Sequence, residues 1–140
     1  MTVARNRTEL LERLGAKQRN IVWSWCAVNE AERKVYFSVW RDLVRKGEAG
    51  QLVYVVQEPH WGIDVKTGAR SPARKEHDEL LALALENHYE AFAYFIDAKD
   101  PSATPREIES TMTSFIRGLR LERQPNGTIL GYPGLRIEIR

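Results

Sequence analysis

One cysteine, three histidines and a net charge of only +2 are what this chain of 140 residues has little of, and each scarcity excludes something. Cys26 has no second thiol for an internal disulfide, and its place in an apolar run reads as a small buried hydrophobe rather than an exposed nucleophile. His60, His77 and His88 stand at no ligand spacing and Cys26 has no neighbouring thiol, so neither a metal site nor a cofactor is expected. His77 and His88 read as residues of a helix surface and a helix end. No Gly-x-Ser-x-Gly turn exposes a serine. The glycines Gly131 and Gly134 flank a proline with no helix to follow, which excludes a phosphate-cradling loop. No apolar run approaches a bilayer span, and residues 1–7 lack the apolar core of a signal peptide, so a cytoplasmic protein without a membrane partner is expected.

The small net charge is too mild to demand a nucleic-acid partner, yet its distribution is uneven. Arg5, Arg7, Arg13, Lys17 and Arg19 crowd one end. Arg41, Arg45 and Lys46 follow a strand-like run, and Arg117, Arg120, Arg123, Arg136 and Arg140 mark the last segment. On a shared face these clusters attract phosphate; the alternative is ordinary solvated surface.

What the chain does have is tryptophan. Three of its four tryptophans, Trp23, Trp25 and Trp40, fall in two adjacent apolar runs, and the fourth, Trp61, sits in a long loop. Buried indole needs a partner for its N–H, so such density means either a bulky core or an aromatic pocket for a flat ligand. With 43% hydrophobic and 29% charged residues the chain is not disordered, and residues 1–140 read as one domain.

The pattern predicts a short helix capped by Thr8 and stopped by Gly15, then a strand over 21–28 and a hairpin partner over 35–40. A β-branched strand follows over 52–56, then a long loop to Pro72, a helix from Ser71 to about Asn87, and a central strand over 89–97. Two strands flank a Pro-Asn-Gly turn at 125–127, and the alternation of Leu135, Ile137 and Ile139 closes the chain. The sum is α+β: a small curled sheet or open β-barrel with two or three helices at its rim.

Three functional readings compete. The aromatic set, interleaved with Arg41, Lys99 and Arg106, suits stacking of nucleic-acid bases, an extruded base included. The same aromatics equally suit a groove for a peptide or small ligand. Glu90, Asp97 and Lys99 form an acidic-x-Lys step on one strand, a set that can hold a divalent ion in a nuclease, though the pattern arises often by chance.

The runs from Asn20 through Trp23, Ser24, Trp25 and Ala27, then Val35 to Asp42, then Ala98, Lys99 and Asp100 with Pro105, Arg106 and Ile108, resemble a family of small bacterial domains found alone or joined to HNH endonucleases. That family is similar to the PUA-like superfamily, whose SRA, EVE and YTH members are small barrels that recognise modified bases in an aromatic pocket. The resemblance implies a non-catalytic nucleic-acid-binding module, with any cleavage supplied by a separate nuclease, since no HNH segment is present. It carries Trp23, Trp25, Trp40, Lys99, Asp100 and Arg106 as site positions. Trp61, Arg41 and Asp97 join them from the residues alone, with an aspartate accepting hydrogen bonds from the base edge and the cations meeting phosphate. The stretch around Trp61 and residues 66–75 departs from the family.

Overall fold

The computed structural model describes residues 4–139, so Arg140 of the last basic cluster lies outside the described residues, as do residues 1–3. The first helix, α1 (Arg7–Arg13), starts earlier than Thr8 suggests. Asn6 is the cap, its Oδ1 accepting from the Glu9 amide at 2.9 Å, and Gly15, at φ +66°, follows the helix as expected.

The strand expected from residue 21 begins only at Cys26, as β1 (Cys26–Asn29). Residues 20–25 are wound instead into a turn. The Asn20 amide donates to Ser24 Oγ at 2.9 Å, the Ser24 amide donates to the Asn20 carbonyl at 2.9 Å, and Asn20 Oδ1 accepts from the Val22 amide at 2.8 Å. Short polar side chains that bond the backbone locally draw it out of a ladder, whatever alternation the apolar residues show.

From there β1 pairs with β2 (Lys34–Trp40) as the expected hairpin. Next come β3 (Val44–Lys46), β4 (Leu52–Gln57), α2 (Pro72–Glu86), β5 (Glu90–Ala98), β6 (Ile108–Thr111), β7 (Phe115–Arg123) and β8 (Ile129–Glu138). The predicted last two strands are thus one, β8, while β3 and β6 are additional. The sheet runs β1-β2-β5-β7-β8-β4-β3, with β6 beside the far end of β5. All described strand pairings are antiparallel except β2 with β5, which run parallel from Lys34 opposite Glu90 to Trp40 opposite Ile96.

That parallel pair is buried on both sides, as its near-continuous apolar sequence requires. Val35, Phe37 and Val39 of β2 with Ala93 and Phe95 of β5 pack under Leu80 and Leu81 of α2. Tyr36 of β2 with Phe92, Tyr94 and Ile96 of β5 pack under Leu10 and Leu11 of α1. Cys26 is wholly buried, and burial pushes its thiol well above the usual range, in keeping with a structural residue.

Beyond Trp40 the chain turns, the Leu43 amide donating to the Trp40 carbonyl at 3.1 Å and the Val55 amide to the Leu43 carbonyl at 3.0 Å. This bend carries the chain from β2 across to β3 beside β4, so the sheet curls back without closing. The architecture is α+β, a small curled sheet with helices at its rim.

Candidate nucleic-acid interface

Parallel strands place their carboxyl ends together at one edge of the sheet. Here the ends of β2 and β5 bring together six of the residues singled out in the sequence: Trp40, Arg41, Asp97, Lys99, Asp100 and Arg106. Arg41 forks onto Asp97, with Nε to Oδ1 at 2.6 Å and Nη2 to Oδ2 at 2.9 Å, and the Ser110 hydroxyl donates to Asp97 Oδ2 at 3.1 Å. Arg106 forks onto Asp42, Nη1 to Oδ1 at 2.8 Å and Nη2 to Oδ2 at 2.7 Å, while its guanidinium lies 5.2 Å above the Trp40 ring. Lys99 Nζ is 3.9 Å from Glu107, and Asp100 accepts from the amide and hydroxyl of Ser102, closing its own turn.

These contacts set the local electrostatics. The guanidinium of Arg41 holds the Asp97 carboxyl below its usual range, Arg106 does the same for Asp42, and Ser102 for Asp100. Each arginine is raised in turn by its partner. Asp97, the aspartate expected to accept from a ligand, is therefore engaged with Arg41, and Arg106, the other arginine expected to meet phosphate, with Asp42.

The other tryptophans lie elsewhere. Trp25 meets the ring of His77 edge-on at 5.5 Å, and its Cη2 lies 2.9 Å from where a Cβ on Gly62 would stand. Trp61 packs with Leu43 and Tyr132 over Val53, Val55 and Leu130, on the outer side of β4 and β8. Trp23 sits in the Asn20 turn, half-buried, next to the exposed Ile21 and Val22. Trp40 belongs with the α1-side core. Trp25 thus abuts the 58–71 loop that carries Trp61, and Trp40 belongs to a different cluster.

No family model, curated protein or solved structure matches this chain.

Glu90 and Asp97, proposed with Lys99 as a metal-holding set, stand at opposite ends of β5. Seven residues at about 3.3 Å each separate them by roughly 23 Å, and the odd spacing puts them on opposite faces. Among the described residues no group of three or more His, Cys, Asp or Glu side chains is placed to hold a metal ion. No helix among them is long and apolar enough to cross a membrane.

Sequence reading missed three features. Asp42, within the quoted motif but outside the chosen residues, holds Arg106. Arg120 lies 4.1 Å over the Tyr132 ring, on the Trp61 side of the sheet, one of several cation–π contacts besides that of Arg106. His77 is no surface residue: it is wholly buried, and its Nδ1 lies 2.8 Å from Gln57 Nε2, the amide group that also reaches Asp78 at 3.0 Å. Gln57 and His77 stand on a strand and a helix with no shared periodicity, so only the fold reveals the pair.

Proposed function

We propose that this domain binds nucleic acid without catalysis of its own, using the ends of β2 and β5 as its base-contacting surface. The observation that supports this most is the Arg106 guanidinium lying 5.2 Å from the centre of the Trp40 ring while its fork is held by Asp42. In this reading a planar base takes the place that the guanidinium now holds. When a base slides onto the indole, Arg106 swings to the adjoining phosphate and Asp42 is freed to accept from the base's amino or imino edge.

The magnitudes are comparable, so the hydrogen bond from the base to the freed carboxylate decides the exchange. An ion pair near the surface contributes about 0–1 kcal/mol and an exposed cation–π contact about 0.5–1 kcal/mol, whereas base–aromatic stacking contributes about 1–3 kcal/mol before any hydrogen bond to the carboxylate. Arg41 and Asp97, one residue further along each strand, form a second forked ion pair on the opposite face of the same sheet end. The Asp42 edge gives the site its means of distinguishing a modified base from an ordinary one.

Anisotropy titrations with labelled single-stranded and duplex oligonucleotides, with and without modified bases, test the reading. Binding should weaken between about 50 and about 200 mM salt in proportion to the phosphates neutralised. Trp40→Ala and Arg106→Ala should each remove about 1–3 kcal/mol of binding free energy. Absent binding, or binding indifferent to both substitutions, overturns the proposal.

A further inference from the structure

The far half of β8 is a surface that shares no residue with the Trp40 cluster. Although β8 extends from Ile129 to Glu138, β4 pairs with it only as far as Gly131. Beyond that point β7 is its one partner among the described residues, and the opposite edge is left open. After a register slip between Arg117 and Leu119, the two strands run regularly, with Arg136 opposite Arg117, Ile137 opposite Ile116 and Glu138 opposite Phe115. The Ile139 amide donates to the Ser114 carbonyl at 2.9 Å across this ladder. Backbone polar groups alternate in direction along a strand, so those of Ile137 face β7 and those of Arg136 and Glu138 point out to the open edge.

An open edge invites another strand unless it is short, covered or guarded by charge of one sign. The other edges of the sheet are protected in those ways. Lys17 bridges to Val28 along β1, β3 has three residues and carries Arg45 and Lys46, and β6 has four with Glu109 as its charge. The open stretch of β8 is different. Leu135 is 84% and Ile137 41% exposed, in the row that ends on Ile139 against the α1-side core. On the opposite face Arg136 and Glu138 alternate in sign, with Nε 2.6 Å from Oε1.

This stretch is complementary to itself. Two copies laid antiparallel must match outward-pointing residues with one another, and registers centred on Arg136 or on Glu138 oppose like charges at the axis. The register centred on Ile137 instead sets Arg136 of each copy opposite Glu138 of the other and Leu135 opposite Ile139, so the ladder, the charges and the apolar row agree. We propose that the protein forms a two-fold dimer through the open edge of β8, with Ile137 on the axis and the sheet continuing from one copy into the next. This self-association is independent of the nucleic-acid reading.

Sedimentation equilibrium over a range of protein concentrations, without oligonucleotide, tests it. The unaltered protein should pass from monomer to dimer. Arg136→Glu and Glu138→Arg each set like charges opposite one another and should weaken the dimer roughly 10-fold. Mixing those two variants brings opposite charges face to face again and should restore it, an outcome that damage to either fold could not produce. The axis is checked by oxidation. Ile137 would meet its own copy as a non-hydrogen-bonded pair with Cα atoms about 4.5 Å apart, within disulfide reach, so Ile137→Cys should cross-link. Leu135→Cys, at the more exposed position but off the axis, should cross-link far less. A monomer at every concentration, a dimer unmoved by both charge reversals, no recovery on mixing, or faster cross-linking of Leu135→Cys than of Ile137→Cys overturns the proposal.

Discussion

Acidification from pH 6.5 should destabilise this protein steadily, and His77→Gln should remove that dependence between about pH 6.5 and 4.5. His77 is sealed in the α2-side core, where burial pushes its pKa down to about 3 from an ordinary 6.5. The Asp78 carboxylate opposes this shift and the Arg74 guanidinium adds to it, but desolvation dominates. The rings of Trp25 and Phe37 meet the imidazole edge-on at 5.5 and 5.4 Å.

A base with a depressed folded pKa stays neutral in the fold but gains a proton once unfolded, so the unfolded chain binds more protons between those two values. Stability is therefore full above about 6.5 and falls as the pH drops toward about 3, by about 1.4 kcal/mol per unit. The aspartates held low by arginines lose their contributions only below the ordinary carboxylate range, which leaves the upper window to His77. Urea midpoints measured across that window check it. A glutamine keeps an acceptor for Gln57 and does not titrate, so the variant, though less stable near neutrality, should show a flat profile. A wild-type profile already flat from 6.5 to 4.5 would refute the assignment of a neutral buried imidazole.

The second large effect is expected at Gly62. Its φ of +64° lies in the left-handed region, and a Cβ there would stand 2.8 Å from Ser71 Oγ, 2.8 Å from Arg74 Cβ and 2.9 Å from Trp25 Cη2. Those three atoms belong to the cap of α2, to the side chain that ties down the 58–71 loop, and to an indole against His77. Arg74 Nη1 donates to the carbonyls of Pro59 and Trp61 at 2.9 and 2.8 Å while its Nε holds Asp78 at 2.9 Å. The Ser71 amide donates to the Gly62 carbonyl at 2.8 Å.

None of these partners can yield without loosening the loop. Backbone strain of about 1–3 kcal/mol and crowding of a similar size both apply, so Gly62→Ala should destabilise the protein by about 2–5 kcal/mol in chemical denaturation. Gly68→Ala is the control. It has φ +73° but nothing within 4 Å of a Cβ, and should cost only the backbone part.

The elements legible in the sequence were those that carry their own punctuation. Ser71 with Pro72 announces α2, and the Ser71 side chain does accept from the Arg74 amide at 3.1 Å. Gly127, at φ +94°, closes the turn between β7 and β8. The alternation of β5 reports a strand covered on both faces. The misreadings have equally specific causes. Asn20 and Ser24 overrode an apolar alternation with side-chain bonds. The strand β3 is exposed throughout and β6 nearly so, leaving no buried face for a pattern to mark.

For the site, composition pointed to aromatic rings near cations but gave no way to know which ring meets which cation. The parallel register of β2 on β5 decides that, setting Arg41 beside Asp97, 56 residues away. Arg106, 64 residues from Asp42, arrives with the segment that leads from β5 into β6. Such pairings between distant segments leave no local trace.

Indole fluorescence during oligonucleotide titration tests the central claim most directly. Emission from the unaltered protein should be quenched as bases stack, and Trp40→Phe should abolish most of that quenching while Trp61→Phe leaves it in place. Quenching that survives in Trp40→Phe, or that vanishes only in Trp61→Phe, would contradict the placement of the base-contacting surface at the ends of β2 and β5.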